Sequence, residues 1–353
     1  MRKEILYAKK TFLAMKNPYN SITKVFPLAI NSFEKNSDTK YLGVKDVPTI
    51  PLSLVHKLEA NHYVLHTLDK SSRGGRAVDY DLENPISGHK MTGSSSGTAI
   101  NVFLGINDLG IGNDGGGSVL APAMAVNCFG FISSLLETEY MKQFERLSTD
   151  NISFNPSLGY IARDFAEIKN AIECTIPLKE DDGVINCLIP DAKFTVLNKN
   201  INDELKTLLK DVEIKEISMP EFTNDRKPLI EFLSKVIKKT DVFVSYEAKI
   251  DVEGFGDTVL GHFDEIMASK QLQSGKFLTR VANMVKATTI TVPSKEFASA
   301  YTLFCEPKED KIAKMLKVAE MLVAQEDELL DRYFRNVDQY FSNGILDYKN
   351  IKQ

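Results

Sequence analysis

The chain has few of the features that mark secreted, membrane-spanning or nucleic-acid-binding proteins. None of its four cysteines stands in a CxxC pair, which favours free thiols in a reducing compartment over a disulfide or zinc framework. No apolar run approaches membrane-spanning length, and lysines interrupt the N-terminal segment where a signal peptide would be apolar. The net charge of −5, with both signs mixed along the chain, provides no basic surface. We therefore expect a cytoplasmic protein that binds neither nucleic acid nor membrane.

The composition that remains is typical of a folded globular protein, with 43% hydrophobic and 26% charged residues among 353. Apolar spacing predicts helices at 1–20, 50–59, 98–105, 160–175, 202–210, 228–238 and around 312–323. It predicts strands at 25–30, 63–65, 193–197, 241–246 and 288–292, and a loop at 70–93. Because helices and strands alternate with no shift in composition, the pattern predicts one α/β domain over residues 1–353, with a mixed sheet flanked by helices.

Two loops rich in glycine and serine stand out against this background. The first is Gly-Ser-Ser-Ser-Gly at 93–97, and the second is Asp-Gly-Gly-Gly-Ser at 114–118. Hydroxyl groups and backbone N–H groups presented by small loops are what an enzyme needs to attack a carbonyl and hold the resulting oxyanion.

Several other interpretations compete for the same residues. Residues 110–115 match the GxGxxG pattern of dinucleotide sites, and residues 93–97 match the GxSxG nucleophile elbow, with Asp257 and His262 as imaginable partners. Neither segment is preceded by the hydrophobic strand that its motif requires. Turns that do no chemistry are also rich in glycine and serine.

The histidines give no metal site. His62 and His66 are four residues apart, but their segment is more typical of a strand and has no carboxylate to complete a zinc site. His89 lies five residues before Ser94 and is a candidate neighbour of the first loop.

Taken together, the two loops resemble the core of the amidase signature family. That family has a GGSSGG-type loop followed at a fixed distance by a GTDxGGSxRxPA segment. Residues 93–97, residues 112–118 and Pro122-Ala123 follow this pattern, and Ser94 and Ser118 are 24 positions apart, which fits the family spacing. Weaker similarity covers most of the chain, including Asn84-Pro85.

The resemblance implies a mixed, mostly parallel twisted sheet covered by helices, and amide-bond chemistry without a cofactor. It assigns the nucleophile to Ser118 and the proton relay to Ser94, which the family places in a cis peptide. The residues implied for the oxyanion hole and its support are Gly115, Gly116, Gly117, Asp114 and Ser95.

The relay also needs a base, which the family supplies as a lysine after a short strand. If residues 26–30 are that strand, the matching residue is Asn31, which cannot accept and return a proton as a neutral amine does. Lys45 has a better local context, Gly-Val-Lys-Asp, but leaves few residues before the helix at 50–59. We therefore expect Asn31 at the lysine position and keep Lys45 as the alternative. Further lysines that could fill the vacancy are Lys24, Lys35 and Lys90.

Two functions are compatible with these residues. The first is an amidase-like serine hydrolase or acyl-transfer enzyme that acts on a small-molecule or peptide-like carboxamide, without a metal. The second is a catalytically impaired relative that keeps the fold and acts as a binding or scaffolding subunit. The expected partners are the amide and, if the chain forms a homodimer, a second copy of itself.

Overall fold

The computed structural model describes residues 3–34, 36–148, 150–324 and 327–341. The α-helices are α1 (Lys3–Lys16), α2 (Leu52–Glu59), α3 (Ser96–Phe103), α4 (Leu120–Ala125), α5 (Thr138–Met141), α6 (Phe165–Thr175), α7 (Ile201–Leu208), α8 (Lys227–Val236), α9 (Thr258–Gly261), α10 (Glu265–Leu272), α11 (Thr279–Ala282), α12 (Glu309–Leu322) and α13 (Glu328–Tyr333). Short 3₁₀ helices occupy Pro27–Glu34, Arg73–Gly75, Lys142–Phe144, Asn283–Val285 and Val337–Phe341.

The strands are mostly short and spread over the whole described chain. They are β1 (Ile22–Val25), β2 (Lys40–Lys45), β3 (Tyr63–Asp69), β4 (Val78–Glu83), β5 (Lys90–Thr92), β6 (Leu109–Asp114), β7 (Phe129–Ser133), β8 (Arg146–Leu147), β9 (Ser153–Phe154), β10 (Ser157–Ala162), β11 (Ile185–Pro190), β12 (Thr195–Val196), β13 (Lys199–Asn200), β14 (Val212–Ile217), β15 (Val242–Glu247), β16 (Thr288–Pro293) and β17 (Ala300–Cys305).

One 11-stranded sheet runs through the molecule in the order β1-β3-β2-β6-β10-β7-β16-β17-β15-β11-β14. Strands β3, β2 and β6 pair in parallel, as do β15, β11 and β14. The strands between these two groups pair antiparallel. The prediction of a mixed sheet is therefore confirmed, with the parallel pairs confined to two groups of three strands.

Helices cover both faces of this sheet, as predicted. Neighbouring residues of one strand point to opposite faces, so Val244 belongs to one hydrophobic core and Phe243 to the other. Helices α2, α6, α7 and α12 pack in the first core. Helices α1, α3, α4 and α8 pack in the second. The catalytic candidates lie at the ends of elements that these two cores hold in place.

Most helices with clear apolar spacing lie where the sequence predicts them, including α2, α3, α7, α8 and α12. The predicted strand at 25–30 is wrong: β1 ends at Val25, and Pro27–Glu34 is a 3₁₀ helix. Pro27 has no N–H for a strand ladder, and its fixed φ suits the start of a helix. The predicted loop at 70–93 contains the β4-β5 hairpin, and the predicted helix at 160–175 begins as β10 and becomes helical only at Phe165.

All four cysteines are free. In the described part of the chain, no helix is both long enough and apolar enough to cross a membrane. The single domain over residues 1–353 stays a prediction.

Candidate active site

The two glycine-serine loops lie against each other. The N–H of Ser95 donates to the carbonyl oxygen of Ser118 at 3.1 Å. Gly93 has φ +70°, and a Cβ there would lie 2.4 Å from the ring of Pro122, so this contact requires glycine. Helix α3 begins at Ser96, within the first loop, and packs on β6, the strand that leads into the second loop. The loops meet because this helix and strand pack together.

Both loops open into one cavity of about 410 Å³. Ser94 and Ser118 line it, and Ser118 is partly exposed there. The polar and charged side chains that also line this cavity include Lys45, Arg76, Asn113, Arg146, Arg226 and Asp257. A cavity of this size suits a small-molecule ligand.

Lys45 reaches into this cavity from the end of β2. Its Nζ donates to Oγ of Ser94 at 2.6 Å and to Oδ1 of Asn113 at 2.7 Å. The side chain is buried, and this burial lowers its pKa to about 7, since removal from water disfavours the ammonium form. The charge of Asp114 opposes the shift, whereas the cation of Arg146 adds to it. Lys45 therefore supplies an amine that is partly neutral near neutral pH.

The prediction that Asn31 occupies the lysine position is corrected by this geometry. Asn31 is exposed in the Pro27–Glu34 3₁₀ helix, and Lys45 takes the place beside Ser94. The residues from Asp46 to Pro51 suffice to connect Lys45 to α2, so the objection to Lys45 does not hold. Among the other lysines considered, Lys24 is exposed, Lys90 pairs with Glu83 on the surface, and Lys35 lies outside the described residues.

Asp114 organises the second loop through its carboxylate. Oδ1 accepts the N–H groups of Gly116 and Gly117, at 2.9 and 2.7 Å, and Oδ2 accepts those of residues 119 and 120. Asp114 therefore supports the second loop through hydrogen bonds to its backbone N–H groups. Two of the three glycine N–H groups expected to face the substrate are directed at this carboxylate instead. The N–H groups of Gly115 and Ser118 have no hydrogen-bond partner among the described residues.

Ser95 supports the site through its backbone. Its hydroxyl is fully buried, has no hydrogen-bond partner in the described part of the chain, and packs over Gly112 of β6, where a Cβ would lie 2.6 Å from Oγ. The expected place of this hydroxyl in the polar network is therefore wrong. The described chain also contains no cis peptide bond, so Ser94 reaches Lys45 with a trans backbone, the lower-energy form for a residue other than proline.

The competing motifs do not form their sites. Gly110 and Gly112 lie inside β6, so the GxGxxG match is a strand packed closely under α3 and not a phosphate loop. For the nucleophile elbow, Asp257 pairs with Arg76 and caps α9, while His262 is exposed.

The histidines likewise play no part in the site. His62 is exposed, and His89 is exposed outside the cavity. His66 stacks on Tyr41 and bonds Asn107, and burial lowers its pKa to about 4. The described residues hold no cluster suited to a metal ion.

Glu247, which the sequence analysis did not predict as a site residue, positions the segment that packs against the second loop. Glu247, at the end of β15, accepts the N–H groups of Phe277 and Thr279, both at 2.8 Å, and the hydroxyl of Thr279 at 2.6 Å. Burial raises the pKa of this carboxyl. The carbonyl oxygen of Thr279 lies 3.7 Å from where a Cβ of Gly117 would be. In the sequence, Glu247 directly follows the predicted strand at 241–246, and a carboxylate at a strand end is the signal that could have indicated it.

Solved structures share this fold over nearly the whole chain. An amidase family protein from Bacillus anthracis strain Ames has a TM-score of 0.61 and 11% identity, covering 92% of this chain and 89% of its own. A component of glutamyl-tRNA(Gln) amidotransferase from Thermotoga maritima has a TM-score of 0.60 and 12% identity, covering 90% of both. Allophanate hydrolase from Kluyveromyces lactis has a TM-score of 0.61 and 13% identity, covering 95% of this chain and 72% of its own.

The sequence itself is similar to a known family over a shorter range. No curated protein sequence matches the chain. The family model described as Amidase matches residues 80–152, a segment that contains both loops. The chain is therefore similar to the Amidase family over the segment that contains its two loops, and it shares the fold of the solved amidase structures over most of its length.

Proposed function

We propose that the protein is a serine hydrolase that cleaves the C–N bond of a carboxamide. Oγ of Ser118 attacks the amide carbon, and its proton passes to Oγ of Ser94 while the proton of Ser94 passes to the amine of Lys45. The protonated Lys45 then returns a proton through Ser94 to the leaving nitrogen, which departs as an amine or ammonia. Water repeats the sequence on the acyl-enzyme and releases the acid.

The observation that carries this proposal is the buried contact of Lys45 with Ser94. A base must be neutral at the working pH and within hydrogen-bond distance of the group that it deprotonates. Lys45 meets both conditions, with a pKa of about 7 and a separation of 2.6 Å from Oγ of Ser94. The second catalytic requirement is a nucleophile in the same cavity, and the partly exposed Ser118 fits it.

The oxyanion would be held by N–H groups of the second loop. The N–H groups of Gly115 and Ser118 are the ones that Asp114 leaves available for a substrate oxygen. Each donor of this kind contributes about 3–4 kcal/mol to transition-state stabilisation. Asp114, by fixing the loop, would pre-organise both donors.

A fluorophosphonate probe, which reacts with activated serines, tests the proposal. We expect it to label the wild-type protein at Ser118 and to fail with Ser118→Ala. Ser94→Ala should slow labelling strongly because it cuts the proton path to Lys45. Ser95→Ala is the matched control, since its hydroxyl has no partner, and it should label at the wild-type rate. Unlabelled wild-type protein that unfolds cooperatively would contradict the proposal.

The non-catalytic alternative, a binding or scaffolding subunit, rested on the absence of a base. The position of Lys45 removes that reason, and no other feature of the described residues favours the alternative. Transfer of the acyl group to an acceptor other than water would use the same groups in the same order. The cytoplasmic location and the homodimer stay predictions.

A further inference from the structure

The charged residues around Ser118 are not balanced within the cavity. Arg76 donates from Nε to Asp257 at 2.9 Å, and Arg226 donates from Nε to Asp150 at 2.8 Å and from Nη2 to the same carboxylate. Arg146 lines the same cavity, yet no acidic side chain of the described residues pairs with it. The cavity therefore presents one cation without an anion.

The backbone position of Arg146 is defined by strand pairing. It begins β8, opposite Phe154 of β9, and the ring of Phe154 lies over Gly115 of the second loop, 2.6 Å from where a Cβ would be. The carboxylate of Asp150 ties this β8-β9 segment to Arg226. The pairing with Phe154 thus places the backbone of Arg146 near the loop that carries Ser118, and its exposed side chain lines the cavity there.

Arg226 approaches the same loop from the other side. Its side chain is buried, and its Nη1, the nitrogen that Asp150 does not use, lies 3.6 Å from where a Cβ of Gly116 would be. A guanidinium with one edge held by a carboxylate keeps its remaining N–H groups in a fixed direction. Arg146 and Arg226 line the same cavity, and both have N–H groups that can donate to a bound anion.

We propose that the substrate of this site is a small amide that also carries a carboxylate, which Arg146 and Arg226 bind while Ser118 attacks the amide carbon. The inference rests on the proposed hydrolase function. The cavity of about 410 Å³ has room for a short-chain monoamide of a dicarboxylic acid. The carboxylate would supply an anion for Arg146, which pairs with no acidic side chain among the residues that the structure describes.

The test compares malonamate, succinamate and glutaramate with malonamide, succinamide and glutaramide, in which a neutral amide replaces the carboxylate. A hydrogen bond between charged groups changes affinity by roughly tenfold or more. We therefore expect kcat/KM for the best monoacid to exceed that of its diamide by about that factor. Arg146→Gln should abolish the preference. Arg73→Gln, which changes an exposed arginine paired with Asp81, is the matched control and should keep it.

Protection against the fluorophosphonate probe gives a second readout that needs no turnover. Succinate should slow the labelling of Ser118 in the wild type and have no effect in Arg146→Gln, while succinamide should protect neither. If Ser118 is labelled but the monoacid has no advantage and succinate gives no protection, the carboxylate site is wrong and the hydrolase stands. If the probe does not label Ser118 and no amide is cleaved, both the carboxylate site and the proposed hydrolase function are wrong.

Discussion

Replacing Lys45 with methionine should change how the stability of the protein depends on pH, in addition to removing activity. Methionine keeps an unbranched side chain of similar length and has no group that titrates. In the wild type, burial depresses the pKa of Lys45 from 10.5 to about 7. At about 1.4 kcal/mol for each pH unit, this depression corresponds to about 5 kcal/mol of stability.

The sign follows from which state binds the proton more tightly. Above about pH 10.5 the amine is neutral in the folded and unfolded chains, and the depressed pKa has no effect on stability. As the pH falls from about 10.5 to about 7, the unfolded chain takes up the proton and the folded chain does not, so the free energy of unfolding decreases. Below about pH 7 both states are protonated, and the loss stays at its full value.

Urea titrations of both proteins between about pH 6 and pH 9.5 measure this effect. The wild-type free energy of unfolding minus that of Lys45→Met should rise by about 1.4 kcal/mol per pH unit above about pH 7. Subtraction cancels other buried groups, such as Asp69, whose pKa burial raises to about 7. It also separates the effect from the constant cost of leaving Ser94 without its donor.

Lys24→Met is the control, because Lys24 is exposed in the folded protein, and its difference from the wild type should not vary over this range. A Lys45→Met difference that is flat, or that rises as the pH falls, would refute the low pKa of Lys45. The kcat/KM of the wild type should rise over the same range with a midpoint near pH 7, since the neutral amine is the active form.

Three further substitutions act on the surroundings of this amine. Asp114→Asn should lower the free energy of unfolding by about 1–3 kcal/mol in urea titrations, because backbone N–H groups lose their charged acceptor. It should also move the kcat/KM midpoint to lower pH, because the charge of Asp114 raises the pKa of Lys45. Asn113→Asp should move that midpoint to higher pH, since it places a carboxylate where Lys45 now donates to an amide oxygen at 2.7 Å; an unchanged midpoint would contradict this contact. Gly115→Ala should lower kcat/KM because its methyl group meets the ring of Phe154, and Phe154→Leu in the same chain should restore part of the loss.

The features that the sequence allowed us to predict are those with a local signal. Helices α2, α3 and α12 have regular apolar spacing, and the two loops have an unusual composition that depends on no distant contact. Strand β6 lacked such a signal because two of its residues are glycines. Gly110 faces Thr98 of α3, and Gly112 faces Ser95, with room for no Cβ in either place. Because α3 approaches β6 so closely, these two positions must be glycine, and the sequence of β6 therefore resembles that of a loop.

The position of the base could not be predicted for a different reason. Strand β2 is short, begins and ends with lysine, and contains Gly43, where a Cβ would lie 2.2 Å from the side chain of Asn107 and 2.5 Å from that of Asp69. The sequence of β2 therefore does not show the alternation of apolar and polar residues that predicts a strand. The apolar residues at 26–30 are typical of a strand, but most of them lie in a 3₁₀ helix. Counting from the wrong strand led to Asn31.

The sheet topology explains why Lys45 must be the residue beside Ser94. Strands β2 and β6 are parallel neighbours, so their carboxyl ends lie at the same edge of the sheet, and Lys45 comes next to Asn113. Helix α3, packed on β6, brings Ser94 to that edge. The amide oxygen of Asn113 holds the amine without a negative charge, and a carboxylate there would stabilise the ammonium form and raise the pKa. A neutral acceptor thus fixes the position of Lys45 and leaves its pKa to be set by burial.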